Sequence, residues 1–126
     1  MLLKNEFCMS KINNINERPY ALITGASAGI GTAFAELLAD KGFNLILVAR
    51  RLDRLEKISS KIKENHVIDI KCFKCDLSKN NERLELLKKI EDHKHSIHTL
   101  INNAGYAVPT EFIDSTWEEQ KMLLKF

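Results

Sequence analysis

The stretch Tyr20-Ala21-Leu22-Ile23-Thr24-Gly25-Ala26-Ser27-Ala28-Gly29-Ile30-Gly31 decides the fold. Its first five residues form an apolar run bounded by Pro19 and Gly25, the pattern of a strand buried on both faces. Beyond the glycines, Ile30, Phe34, Leu37 and Leu38 recur at helical spacing, and Lys41-Gly42 supplies a basic last turn and a residue that tolerates the left-handed terminal conformation. A glycine-rich turn therefore joins a buried strand to a helix. The start of a helix presents unpaired backbone N–H groups and the positive end of a dipole, so a pyrophosphate settles there if the backbone comes close, which glycine permits. In that reading Gly25 allows the tight turn, Gly29 the approach to phosphate and Gly31 the close packing of helix against strand, with Ser27 and Ile30 as further contacts. A glycine turn without ligand is the alternative, disfavoured because strand and helix flank the turn as phosphate binding demands.

The same alternation continues outward. Leu45-Ile46-Leu47-Val48-Ala49 is a second buried strand, and Leu55, Ile58 and Ile62 mark one face of a second helix. Within 67–75, Ile68, Ile70 and Cys72 alternate with Asp69 and Lys71, which predicts a third strand with one wetter face, at or near a sheet edge. Ser78 is the expected N-cap of a third helix carrying Leu84, Leu87 and Ile90, and Leu100-Ile101 is the expected centre of a fourth short strand. A last helix opens on a capping box, Ser115 with Glu118 or Thr116 with Glu119, and Trp117, Met122, Leu123 and Phe126 give it an apolar face on which Trp117 reads as a core anchor. Strands alternating with helices of this length imply parallel strands and right-handed crossovers: an α/β, Rossmann-like doubly wound sheet, cut after the fourth strand and the start of the next helix.

Composition narrows the classes of function. A formal net charge of +2 and 29% charged residues give no electrostatic reason to expect nucleic acid or a membrane surface as partner. No run approaches the roughly 18 apolar residues of a membrane span, and the first residues lack a secretory pattern, so the cytoplasm is the default location. Residues 1–18, polar and asparagine-rich, read as a loosely ordered extension, with 19–126 as the domain. Cys8, Cys72 and Cys75 read as inert thiols, because Cys72 and Cys75 are three apart on a strand and point to opposite faces. His93, His95 and His98 read as a hydrophilic connection rather than a metal site, and Lys88-Lys89 as a solvated helix face.

The spacing Gly-x-x-x-Gly-x-Gly of Gly25, Gly29 and Gly31, together with Asn102-Asn103-Ala104-Gly105 directly after Leu100-Ile101, resembles the short-chain dehydrogenase/reductase family over residues 20–126. The resemblance implies an oxidoreductase that moves a hydride between a nicotinamide cofactor and a small carbonyl or alcohol substrate. It places Asp76 and Leu77 against adenine, and Asn103, Ala104 and Gly105 beside the nicotinamide. An acidic residue after the second strand would select NAD; the chain instead reads Val48-Ala49-Arg50-Arg51, and a guanidinium fork suits the 2′-phosphate of NADP, with Arg50 the more direct contact. The family's catalytic Tyr-x-x-x-Lys pair has no match here: Thr24 and Thr110 stand four residues beyond Tyr20 and Tyr106. The resemblance thus implies an N-terminal portion with no catalytic residue of its own, weak cofactor binding, and an oligomer only for a longer protein. A non-catalytic nucleotide-binding or partner-binding protein is the alternative, and a nucleotide-dependent methyltransferase a weaker third, disfavoured by the missing acid.

Overall fold

The computed structural model describes residues 12–94, 96–105 and 114–123. Four strands, β1 (Tyr20–Thr24), β2 (Asn44–Ala49), β3 (Ile70–Lys74) and β4 (Ile97–Ile101), form one sheet in the order β3-β2-β1-β4. All three pairings are parallel, with Thr24 opposite Val48 and Ile23 opposite Ile101, so the chain reverses its direction of travel across the sheet between β1 and β4. The helices are α1 (Gly29–Asp40), α2 (Leu52–Asn65), α3 (Asn80–Glu91) and α4 (Trp117–Leu123). None of them is long and apolar enough to cross a membrane.

Period-two alternation divides the strand side chains between two layers. Ala21, Ile23, Leu45, Leu47, Ile70 and Cys72 face α1 and α2, while Tyr20, Leu22, Ile46, Val48 and Phe73 face α3. Helices therefore cover both faces, as the doubly wound reading requires, and every residue of central β2 is buried. Cys72 and Cys75 lie in opposite layers, both as free thiols, and burial raises the pKa of each. Cys8 lies outside the described residues.

Several local expectations are corrected. Leu84 and Leu87 do not face the sheet: they are 52% and 62% exposed, and Leu86 is buried beside Ile90 in their place. Trp117 is no core anchor, being 66% exposed. Ile30 and Leu37 likewise face outward, because α1 meets the sheet through the small residues Gly31, Ala35 and Ala39 with Leu38. Ser78 does not cap α3; Lys79 holds the N-cap position without a side-chain hydrogen bond, and Ser78 instead donates from N and Oγ to Asp76 Oδ1 (3.0 and 2.7 Å). Leu100-Ile101 ends β4 rather than centring it. At α4 the capping box is Thr116 with Glu119: each backbone N–H donates to the other's side chain, at 2.7 and 3.3 Å.

Residues 12–18, assigned from sequence to a loose extension, are tied to the sheet, while 1–11 lie outside the described residues. Asn14 caps a short 3-10 turn at Ile15–Glu17, and Pro19 keeps Arg18 extended. Arg18 donates to the carbonyls of Ile12 and Val67, each at 3.0 Å. The fully buried Asn44 donates Nδ2 to Ile15 O (2.7 Å) and Arg18 O (3.2 Å) and accepts from Asp69 N (2.9 Å). Arg18 and the carbonyls of Ile15 and Arg18, not the asparagines of this stretch, make the contacts distant in sequence.

Candidate functional site

At the C-terminal ends of the strands a cleft of about 290 Å³ opens between the turn after β1, the end of β2 and the segment after β4. It is the crevice where strand order reverses, the place where open α/β sheets bind ligands. Gly25, Ser27, Ala28, Arg50, Arg51, Arg54, Cys75, Leu77, Asn103, Ala104 and Gly105 are among its lining residues.

The glycine turn divides its work by position. Gly31 is held by close approach: a Cβ there would stand 2.8 Å from Asn103 Nδ2 and from the carbonyl carbon of Gly25. Gly29 opens α1 at φ +55°, and a Cβ built on it meets nothing within 4 Å. The reason for glycine at 29 is therefore conformational, and the space beside it stays free. Ala28 is the N-cap and provides no side-chain hydrogen bond, so the first N–H groups of α1 keep their donor capacity. Among the described residues no side chain plugs that tip, and Ile30 points outward at 67% exposure.

Thr24, at the end of β1, fixes the opposite wall. Its Oγ1 accepts from Asn103 N (3.1 Å) and Ala104 N (3.0 Å) and donates to Asn102 Oδ1 (3.4 Å). Asn103 Nδ2 donates to Gly25 O (3.3 Å), closing a bridge between the two motifs. Thr24 was not among the residues singled out from sequence, although its place before Gly25 and the polar side chain on a buried strand are the available signals.

Positive charge lines the cleft at the end of β2. Arg50, Arg51 and Arg54 line the cleft, all exposed, and Arg54 is an addition: the spacing from Arg50 and Arg51 to Arg54 at a helix start brings it to the same side. Leu77 lines the cleft while Asp76 stands behind it, its carboxyl held below the usual carboxylate range by the Ser78 hydroxyl and amide, with Arg50 contributing. Two residues of α3 hold that loop: Glu82 accepts from Asp76 N (2.6 Å) and Arg83 donates to Leu77 O (2.6 Å). Gly29, Ile30 and Gly31 of the sequence assignment belong to the helix that borders the cleft rather than to its lining.

The remaining candidates fall elsewhere. Tyr20 is at the N-terminal end of β1, its hydroxyl donating to Asp69 and its pKa raised by burial and that carboxylate. Burial raises the pKa of Asp69 too, but the Tyr20 hydrogen bond and the Lys71 ammonium, 3.2 Å away, outweigh it and hold the carboxyl below its ordinary value. The ring of His93 lies 5.8 Å from that of Tyr20, and that of His98 lies 6.1 Å from Phe43. His95, Tyr106 and Thr110 lie outside the described residues. Among the described residues, no group of three or more His, Cys, Asp or Glu side chains is placed to hold a metal ion.

With this geometry the comparisons with known proteins agree. The chain belongs to the short chain dehydrogenase family, whose profile matches residues 19–125. It is similar to a very-long-chain 3-oxoacyl-CoA reductase of Vanderwaltozyma polyspora, 35% identical over 107 residues, covering 83% of this chain and 31% of that protein. Among solved structures it resembles the bulky-bulky ketone specific alcohol dehydrogenase of Comamonas testosteroni (TM-score 0.78, 34% identity, 86% of this chain and 43% of that one). It also resembles a short-chain dehydrogenase of Sphingobium yanoikuyae in complex with NADPH (TM-score 0.77, 33% identity, 85% and 42%). The chain thus spans well under half the length of these relatives.

Proposed function

We propose that this chain is the NADP-binding part of an oxidoreductase that interconverts a small carbonyl compound and its secondary alcohol. One observation carries the reading: an unplugged helix start at Gly29 and the guanidinium groups of Arg50, Arg51 and Arg54 border one cleft at the point where strand order reverses. The spacing of these features suits a dinucleotide. The amides at the start of α1 would hold the diphosphate, Leu77 and the loop at Asp76 the adenine, Arg50 and Arg51 the 2′-phosphate, and Asn103, Ala104 and Gly105 the nicotinamide end. Among the described residues no carboxylate lines the cleft, so none of them repels a phosphate dianion there. When bound, the nicotinamide supplies the hydride donor or acceptor. The NADPH complex of the Sphingobium yanoikuyae relative supports the choice of cofactor.

Residues 19–126 then form the nucleotide-binding part of a longer domain, in keeping with the fraction of each relative that is matched. In this reading the acid–base tyrosine and lysine, the substrate pocket and the oligomer contacts belong to the longer cytoplasmic protein. A non-catalytic nucleotide-binding role is the second reading, favoured by Tyr20: its hydroxyl is committed to Asp69 at the end of the sheet remote from the cleft.

Titration of the purified chain with NADPH and NADH, followed by nicotinamide fluorescence, tests the cofactor assignment. NADPH should bind about tenfold or more tightly than NADH, and Arg50→Gln should remove most of that preference. Equal affinities, or binding of neither, would refute it.

A further inference from the structure

The three arginines of the cleft differ from the other described arginines in what their guanidinium groups do. Arg18 reaches the carbonyls of Ile12 and Val67, and Arg83 reaches Leu77 O and Asn80 Oδ1, so both are committed to the fold. Arg50, Arg51 and Arg54 make no hydrogen bond or ion pair among the described residues, although all three line the same cleft. Acids are close in sequence, at Asp53 and Glu56, yet they face the groove on the outer side of α2 with Lys57 and Lys61. Asp76, behind the cleft, accepts from Ser78 and makes no ion pair with the three arginines, although its charge acts on Arg50.

Asp76 offsets part of the Arg50 charge from behind the cleft, but three guanidinium groups on one wall still repel one another, and an anion relieves that repulsion. Arg50 and Arg51 follow β2 directly and are set by the strand end. Arg54 is set by a different element, the first turn of α2, which places it one helical turn beyond them. A group held from two directions by planar donor forks is a tetrahedral dianion rather than a ribose hydroxyl, which needs an acceptor that this wall lacks.

We propose that Arg54 is a specificity-determining residue: it supplies, from the first turn of α2, a further donor arm to the 2′-phosphate of the adenosine ribose and so enforces the choice of NADP(H) over NAD(H). The inference rests on the nucleotide reading given above and sharpens it by assigning discrimination to a residue outside the strand end. Arg54 is exposed and makes no contact with the core, so its substitution leaves the fold intact.

The experiment compares adenosine 2′,5′-bisphosphate with adenosine 5′-monophosphate, two probes that differ only by the 2′-phosphate. Binding to the 126-residue chain is measured by calorimetry. Arg54→Gln should weaken the bisphosphate about tenfold while leaving the monophosphate within about twofold, and Arg54→Lys, which keeps charge but loses the fork, should fall between. The bisphosphate affinity of Arg54→Gln should also depend less steeply on salt than that of the unaltered chain. If the unaltered chain discriminates, Arg50→Gln abolishes the discrimination and Arg54→Gln leaves it untouched, the Arg54 assignment fails while the nucleotide reading stands. If the unaltered chain binds neither probe, or both equally, the two fail together.

Discussion

At the N-terminal ends of the strands the polar side chains are committed to one another and to the backbone; at the C-terminal ends Thr24 and Asn103 are committed in the same way, but three arginines are not. Asn44 alone makes three hydrogen bonds, and Tyr20, Asp69 and Lys71 form a connected chain of donors and acceptors. Across the sheet, Arg50, Arg51, Arg54 and the first amides of α1 retain unused donors around a cleft. Burying a polar group without a partner costs about 1–3 kcal/mol, so evolution of stability drives the first arrangement. The second is tolerated because it lies open to water. Sequence position does not separate the two ends, since each strand contributes to both; the direction of the parallel strands does.

This contrast can be broken by substitution. The largest effect should come from Gly31→Ala, whose methyl meets the Gly25 backbone and the Asn103 amide. Thermal unfolding should show a loss of about 2–3 kcal/mol, and nucleotide binding should vanish even where the variant remains folded. Retained binding would show that the turn has room that the distances deny. Next, Asn44→Ala should cost about 2 kcal/mol by leaving the Ile15 and Arg18 carbonyls and the Asp69 amide without their partner. Its ratio of NADPH to NADH affinity should be unchanged, and a shifted ratio would mean that the two ends are coupled.

The smallest effect is one of pH. The Tyr20 pKa is raised above its ordinary 10.0 by burial and by Asp69, so the folded state binds that proton more firmly than the unfolded chain does. Its contribution to stability is complete below the ordinary value and declines as pH rises from there toward the folded value. Urea midpoints measured from about pH 8 to about pH 11 should therefore fall more steeply for the unaltered chain than for Tyr20→Phe. Parallel slopes would remove Tyr20 from the account.

The fold was legible where local pattern and tertiary environment agree. The runs at Tyr20–Thr24 and Asn44–Ala49 are central strands, and burial on both faces is what a continuous apolar run encodes. The glycine turn was legible because Gly25, Gly29 and Gly31 each have a backbone reason to be glycine, two by positive φ and one by close approach. Misreadings cluster where helical spacing alone had to choose a face. On α3, Leu84, Leu86 and Leu87 are all leucine, and only the docking of the helix on Ile46 and Val48 selects Leu86. Trp117 follows the same logic: an aromatic in an amphipathic pattern need not meet a core within these residues. Arg54 and Thr24 escaped notice because their roles depend on which elements meet at the cleft, information that spacing along the chain does not hold. Asn44 was hidden for the same reason, its partners lying 25 to 29 positions away in either direction.

The Thr24 hydroxyl carries a consequence for the order in which the molecule is made. Its acceptor lone pairs serve amides 79 and 80 positions later in the chain, so the contact exists only after a loop of that length has closed. A nascent chain released as far as α2 already carries the glycine turn and the three arginines of the cleft, yet the Asn103 amide is not seated against Gly31 and one wall of the cleft is absent. The cleft is therefore completed late in synthesis, with the docking of β4, and not with the glycine turn that begins it.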